Sequence, residues 1–325
     1  MDYEIIATLG PCSQTRPIWQ AMIANGVTAF RLNTSHLSLP QLFQWLEKLE
    51  PFIASVGSTI PVVLDLQGSK WRLGELTAFE LHKDQTVQLI HAGSTQRQNT
   101  LPVPHPDFFE AARLSSGEIV LNDARIHLMV ESIAEETITA RVAQGGKITS
   151  HKGITFSFSE YRKESISDKD QDILKQTRHL SFVRYAISYI KDAQEMSTYR
   201  SLFGRDPYLI AKLERKPAIA DTFQIADSAD ELWLCRGDLG AELGLKTMGE
   251  AVFQFSQLVT SLPVPVIMAG QVLEHMTTQP SPTRSELCYL YDTLMRGYRG
   301  IVLSDETAMG KYPVESCKIA ALYNQ

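Results

Sequence analysis

Eight short apolar runs, separated by segments of helical length, constrain the fold of this chain more than any other feature. The runs occupy residues 4–9, 28–32, 61–66, 182–188, 208–213, 231–235, 264–269 and 300–304. Because most of them are apolar almost throughout rather than alternating, we expect a parallel sheet that is covered on both faces. Eight such strands alternating with helices predict an α/β fold, the closed (β/α)8 TIM barrel.

One long segment, residues 67–181, interrupts this alternation between the third and fourth apolar runs. Within it, residues 71–154 contain short β-like pieces punctuated by glycines, which predict an inserted small β-barrel domain. The catalytic barrel would then comprise residues 1–70 and 155–325. Two basic residues at the junctions, Arg72 and Lys152, favour a lid that excludes water on closing over a passive excursion.

Composition narrows the classes of function. Hydrophobic residues make up 44% of the chain, and the net charge is −6, which argues against nucleic acid or an anionic membrane as a partner. No apolar run reaches the length of a membrane span, and the N-terminus lacks a signal-peptide pattern. The four cysteines show no metal-binding spacing. We therefore expect a cytoplasmic protein that acts on small molecules and contacts neither nucleic acid nor membrane.

Charged residues follow two neighbouring apolar runs. Lys212 and Glu214 end the fifth run, and Arg236 and Asp238 follow the sixth. In a β/α barrel the C-terminal strand ends converge on one mouth, so these side chains are expected to meet. Two carboxylates suit Mg²⁺, and fixed cations beside it suit a phosphoryl or enolate oxygen. For either cluster alone, the alternative is a solvated turn.

The motifs of the chain, taken in order, resemble those of the pyruvate kinase family. They lie at residues 6–13, 31–36, 64–72, 145–153, 166–170, 212–214, 236–240, 282–286 and 303–308. The resemblance covers nearly the whole barrel and is weaker in the insert. It implies phosphoryl transfer between phosphoenolpyruvate, or a related enol phosphate, and ADP or ATP, with Mg²⁺ or Mn²⁺. Arg72 and Lys152 would then contact the nucleotide phosphates at the lid hinge.

The same resemblance implies roles for the matching barrel residues. Glu214 and Asp238 would hold the divalent metal. Lys212 would lie beside the phosphoryl group in transfer, and Arg31 would clamp phosphate. The backbone around Gly237 and Asp238 would bind the carboxylate of a pyruvate-type 2-oxo acid at a helix N-terminus, where free N–H groups favour an anion.

A monovalent-cation site is also implied, because Asn33, Ser35 and Asp65 resemble three of the family's ligands. Lys70 stands where K⁺-requiring members carry a glutamate, which resembles the K⁺-independent branch. In that branch a lysine ammonium supplies the charge of K⁺, so we expect no K⁺ requirement for ligand binding. The alternative is a surface lysine on the hinge.

Several positions depart from the family pattern. Gly270 replaces a threonine whose hydroxyl contacts the substrate carboxylate and helps to deliver a proton. The loss of one such contact costs about 1.5–3 kcal/mol. Lys191 replaces an arginine, and Asp305 and Met309 replace a glycine and a lysine. The family's C-terminal effector domain is not expected in this chain, nor is the usual tetramer, and a homodimer through another interface would take its place.

Three functions therefore remain open at the level of sequence. The first is a pyruvate-kinase-like phosphotransferase, which Lys212 and the two metal carboxylates favour. The second is a metal-dependent 2-oxo acid lyase or decarboxylase that forms a pyruvate enolate. The third is a catalytically weak homologue that binds metabolites. Gly270 favours the second and third.

Overall fold

The computed structural model describes residues 3–57, 60–115, 117–122, 125–157 and 166–324. Within these ranges, eight parallel strands close into a barrel in sequence order, and the eighth pairs with the first. The predicted TIM barrel is confirmed. Its first to eighth strands are Glu4–Thr8, Ala29–Asn33, Val62–Leu66, Val183–Ile187, Tyr208–Leu213, Glu231–Cys235, Val266–Ala269 and Gly300–Leu303.

Helices and short 3₁₀ turns follow the strands. Two of the helices begin with a capping box, in which the N-cap hydroxyl and the N3 side chain satisfy each other's backbone N–H groups: Ser38 with Gln41 and Thr283 with Glu286. The helices of the barrel domain are Arg16–Ala24, Leu39–Val56, Asp168–Thr177, Ala193–Phe203, Lys216–Ala220, Thr222–Ala226, Arg236–Ser256, Arg284–Met295, Asp305–Ala308 and Pro313–Ala320. The 3₁₀ turns are Thr34–His36, Val259–Ser261, Glu274–Thr277 and Ala321–Tyr323.

Two apolar layers hold the barrel together. The larger layer lies between strands and helices and includes Trp19, Leu64 and Met268. A smaller layer, which includes Ile210 and Trp233, fills the barrel interior, so that the barrel is a packed core and not a pore. Among the residues that the structure describes, no helix has the length and apolar character needed to cross a membrane.

The insert is a β-domain with its own apolar core, which runs from Trp71 to Phe156. The two edge strands of its six-stranded sheet are Ile154–Phe156 and Thr100–Val103. The sheet is therefore open, and it curls into a half-barrel. The domain boundaries, which assign residues 1–70 and 155–325 to the barrel and residues 71–154 to the insert, stay a prediction. The strands are Glu75–Leu76, Phe79–Leu81, Thr86–His91, Ser94–Thr95, Thr100–Val103, Glu118–Leu121, Ile126–Ala134, Thr137–Gln144, Gly146–Ile148 and Ile154–Phe156. A helix, Pro106–Ala112, was not expected from the sequence.

Candidate active site

The carboxyl ends of the barrel strands and the insert together line a cleft of about 1080 Å³. Most residues singled out from the sequence line this cleft: Arg31, Asn33, Asp65, Lys70, Arg72, Lys152, Lys212, Glu214, Gly237 and Asp238. Ser35 is buried, and its backbone N–H donates to Asn33 Oδ1 at 3.2 Å. The fold therefore gathers residues that lie far apart in the sequence, although their individual roles stay predictions.

The buried carboxylate of Asp65 connects two cations at the floor of the cleft. Arg31 Nε donates to Asp65 Oδ2 at 2.7 Å, and Lys212 Nζ lies 3.0 Å from Asp65 Oδ1. Ser188 Oγ donates to the same Oδ1 at 3.0 Å and accepts from Lys212 Nζ at 2.8 Å. Sequence reasoning assigned no role to Ser188, although its position at the end of the fourth strand matches that of Lys212 on the fifth.

This network fixes the charge states of its members. Burial alone would raise the pKa of Asp65, but Lys212 and Arg31 hold it below its ordinary value. Burial alone would lower the pKa of Lys212, whereas Asp65 and Glu214 raise it above its ordinary value. Lys212 is therefore an ammonium ion throughout the physiological pH range, which is the state that can neutralise a phosphoryl oxygen.

Glu214 and Asp238 face the same cleft, and each is bound to a lysine. Glu214 Oε1 lies 3.0 Å from Lys212 Nζ, and Asp238 Oδ1 is in contact with Lys70 Nζ. Burial and the nearby charge of Asp238 raise the pKa of Glu214, although Lys212 opposes them. Burial also disfavours the charge of Asp238, but the contact with Lys70 and the charges of Lys212 and Arg72 together lower its pKa.

Tyr189 orients Glu214. Its backbone N–H donates to Glu214 Oε2 at 2.7 Å, and its φ of 67° places it in the left-handed region that a tyrosine rarely adopts. Strained backbone of this kind is often found at functional sites. The sequence offered no signal for Tyr189, because the contact is made by the backbone and its unusual conformation is set by tertiary packing.

The donor set of Glu214 and Asp238 fits a Mg²⁺ ion. Within the described ranges, no cluster of three His, Cys, Asp or Glu side chains could hold a metal. Mg²⁺ does not need one, because it is bound in enzymes through one or two carboxylates and completes its shell with water and substrate oxygens. The buried carboxylate of Glu214 and the partly buried carboxylate of Asp238, which both open onto the cleft, meet this requirement.

The helix Arg236–Ser256 begins at the cleft, and its N-cap residue, Cys235, makes no side-chain cap. The first N–H groups of this helix can therefore bind an anion. A side chain at Gly270 would place its Cβ 3.2 Å from Gly237 N, and the φ of Gly270 is +87°. Asp238 lies in the first turn of this helix, directly after the sixth strand. Gly244 interrupts the helix with a φ of 71°.

The hinge of the insert adds cations to the cleft. Arg72 pairs with Gly153 in an isolated bridge, and Arg72 Nη1 donates to His151 O at 3.0 Å. Burial lowers the pKa of His36 to about 3, and the charges of Arg72 and Lys152 add to this effect. His36 is therefore neutral. The sequence marked it only as part of a motif, without a role.

The loop after the second strand is tied to the barrel by polar contacts. Thr34 Oγ1 donates to Asp65 O at 2.8 Å, and Lys169 Nζ donates to Thr34 O and Leu37 O at 2.6 Å each. Asn33 lies at the start of this loop. The ammonium of Lys70, which is expected to supply the charge of K⁺, contacts Asp238, and its role in place of K⁺ stays a prediction.

The chain is similar to known proteins along nearly its whole length. The family profile described as "Pyruvate kinase, barrel domain" matches residues 2–317. The pyruvate kinase of Methylorubrum extorquens is 29% identical over 96% of this chain and 66% of its own length. The pyruvate kinases of Thermococcus litoralis and Aeropyrum pernix are each 30% identical, over 98% and 96% of this chain and 68% of their own lengths. The chain thus spans about two thirds of the length of these relatives.

Proposed function

Because this chain belongs to the pyruvate kinase family, we propose that it transfers a phosphoryl group between phosphoenolpyruvate, or a related enol phosphate, and ADP or ATP. The observation that carries this proposal is the buried network in which Asp65 holds both Arg31 and Lys212 at the cleft. Phosphoryl transfer depends mainly on positioned positive charge, and this network holds two cations in place at the cleft, which supports the proposal.

Each part of the cleft has a task in this reaction. Lys212 neutralises the phosphoryl oxygens as they pass between donor and acceptor, and Arg31 orients the phosphate from the second strand. The substrate carboxylate binds the free N–H groups at Gly237. Arg72 and Lys152 hold the nucleotide phosphates from the insert, which excludes water when it closes.

The divalent ion would be held by Glu214 and Asp238. When bound, it supplies positive charge that polarises the carboxylate, enolate and phosphoryl oxygens of the substrates. The backbone N–H of Tyr189 keeps Glu214 in place, and Lys212 lies beside the same carboxylate.

Gly270 favours a second candidate, a metal-dependent decarboxylase or lyase for 2-oxo acids. Gly270 has no side-chain hydroxyl that could deliver a proton to an enolate or contact the substrate carboxylate. An enzyme that forms a pyruvate enolate by decarboxylation needs Glu214, Asp238 and the helix N-terminus. It has no use for the nucleotide contacts Arg72 and Lys152, which is why we rank it second.

A coupled assay of the purified protein with phosphoenolpyruvate, ADP and Mg²⁺, with and without K⁺, tests the proposal. We expect turnover in both media and its loss in Lys212→Met. Pyruvate formation from oxaloacetate with Mg²⁺ but without nucleotide would support the second candidate. If neither reaction occurs while calorimetry detects phosphoenolpyruvate binding, the phosphotransferase proposal is wrong and a metabolite-binding homologue remains.

A further inference from the structure

The side chain of Lys70 connects the hinge of the insert to a carboxylate of the proposed metal site. Its ammonium group contacts Asp238, and only 8% of the Lys70 side chain and 16% of the Asp238 side chain are exposed. The same ammonium lies 5.8 Å from the centre of the Tyr189 ring. Water therefore screens the Lys70–Asp238 pair only weakly.

Gly153 leaves the space through which Lys70 passes. A Cβ at Gly153 would lie 2.5 Å from Lys70 Cε and 2.8 Å from Lys70 Nζ, so any other residue would push the ammonium aside. Gly153 also pairs with Arg72 where the insert returns to the barrel. The position of the ammonium thus depends on the hinge backbone.

We propose that Lys70 is a resident counter-cation of Asp238, which opposes divalent-metal binding and leaves the carboxylate when the metal arrives. The reason is electrostatic, because an ammonium and a divalent ion on one carboxylate repel each other strongly in a partly buried site. This inference rests on the proposed function, since it takes Asp238 as a metal ligand. Lys70 acts through Asp238 and is a positioning residue.

Binding of Mn²⁺ to the protein without substrate, measured by calorimetry and by electron paramagnetic resonance of free Mn²⁺, tests this inference. Lys70→Met keeps an unbranched side chain of nearly the same length and removes its charge. We expect it to tighten Mn²⁺ binding roughly tenfold to a hundredfold, the range that corresponds to one charge-assisted hydrogen bond. Lys70→Arg keeps the charge and should bind Mn²⁺ about as weakly as the wild type.

Two further variants separate a specific effect from a general change of charge. Lys152→Met removes a cation from the same cleft and should change Mn²⁺ affinity far less than Lys70→Met. Gly153→Ala moves the ammonium without removing it. It should tighten binding in the wild type but add nothing in the Lys70→Met background.

The outcomes distinguish this inference from the proposed function. Unchanged or weaker Mn²⁺ binding in Lys70→Met, with wild-type binding abolished by Glu214→Gln, overturns the inference alone. If neither the wild type nor Lys70→Met binds Mn²⁺, both the metal site and the inference fail. A gain in Lys70→Met that equals the gain in Lys152→Met also overturns it, because the effect is then one of overall charge.

Discussion

The ammonium nitrogen of Lys212 lies 3.0 Å from Asp65 Oδ1, and both side chains are buried. Asp65→Asn preserves the shape of this contact but leaves Lys212 and Arg31 without their shared counter-charge. We expect kcat for phosphoryl transfer to fall about a hundredfold or more. The free energy of unfolding should fall by about 3 kcal/mol, because a buried ion pair loses one partner.

Steady-state kinetics and denaturant titration measure the two effects. Asp206→Asn, which changes an exposed aspartate, is the matched control and should alter neither. An Asp65→Asn variant with wild-type kcat would mean that the cations hold their positions without Asp65.

The pH dependence of the free energy of unfolding should reflect the titration of Glu231. This residue is buried at the opposite end of the barrel from the cleft. Tyr208 Oη donates to Glu231 Oε2 at 3.0 Å, and Trp233 Nε1 donates to the other carboxylate oxygen. Burial, with the charge of Glu4 nearby, raises the pKa of Glu231 from 4.5 to about 7, although Trp233 and Arg184 oppose the shift.

The sign follows from proton binding. Below pH 4.5 Glu231 is protonated in both states, whereas between about pH 4.5 and 7 the folded protein keeps a proton that the unfolded chain releases. Stability therefore falls progressively between about pH 4.5 and 7, by about 3 kcal/mol in total, and the contribution of Glu231 is fully lost above pH 7. Unfolding titrations at several pH values should show this loss in the wild type and in the exposed-site control Glu250→Gln. A Glu231→Gln variant that loses stability with pH as steeply as the wild type would contradict the assignment.

Replacing Gly270 with the family's threonine should not rebuild the threonine contact that other family members make with the substrate. The φ of +87° is unfavourable for a β-branched residue, and the new Cβ would lie 3.2 Å from Gly237 N. We expect Gly270→Thr to lower the free energy of unfolding by about 1–3 kcal/mol without increasing turnover.

A glycine in a helix provides the control for this substitution. A Cβ added at Gly249 would meet open space, and alanine favours a helix more than glycine does. Gly249→Ala should therefore stabilise the protein by up to about 1 kcal/mol. Denaturant midpoints compare the two variants. If Gly270→Thr were as stable as the wild type and faster, the loop would be able to adopt a backbone that accepts the threonine.

A contact between the insert and the barrel should strengthen the closed lid. Arg125 Nη2 donates to Glu274 Oε1 at 3.2 Å across the mouth of the cleft, and the two side chains are 54% and 38% exposed. In a double-mutant cycle with Arg125→Gln and Glu274→Gln, we expect a coupling of about 0.2–1 kcal/mol in ADP affinity. Because the pair is exposed, the coupling should shrink as salt is raised. A coupling of zero at low salt would show that the contact does not stabilise the closed lid.

The sequence by itself determined the architecture and the composition of the cleft. Eight apolar runs at helical spacing specify a closed parallel barrel because such strands can be buried only between helices and a filled interior. The convergence of strand ends then brings Arg31, Asp65, Lys212 and Glu214 together, whatever their distance along the chain. These inferences succeed because they depend on periodicity and topology, which a sequence carries locally.

Tertiary structure alone decided how the charges pair. Nothing in the sequence shows that Lys70 contacts Asp238, because this contact depends on the space left by Gly153. The left-handed backbone of Tyr189 and the opposite shifts in the pKa of Glu214 and Asp238 arise in the same way. They are set by packing and by electrostatic fields between segments that lie far apart in the chain, and such effects appear only when all the segments are in place.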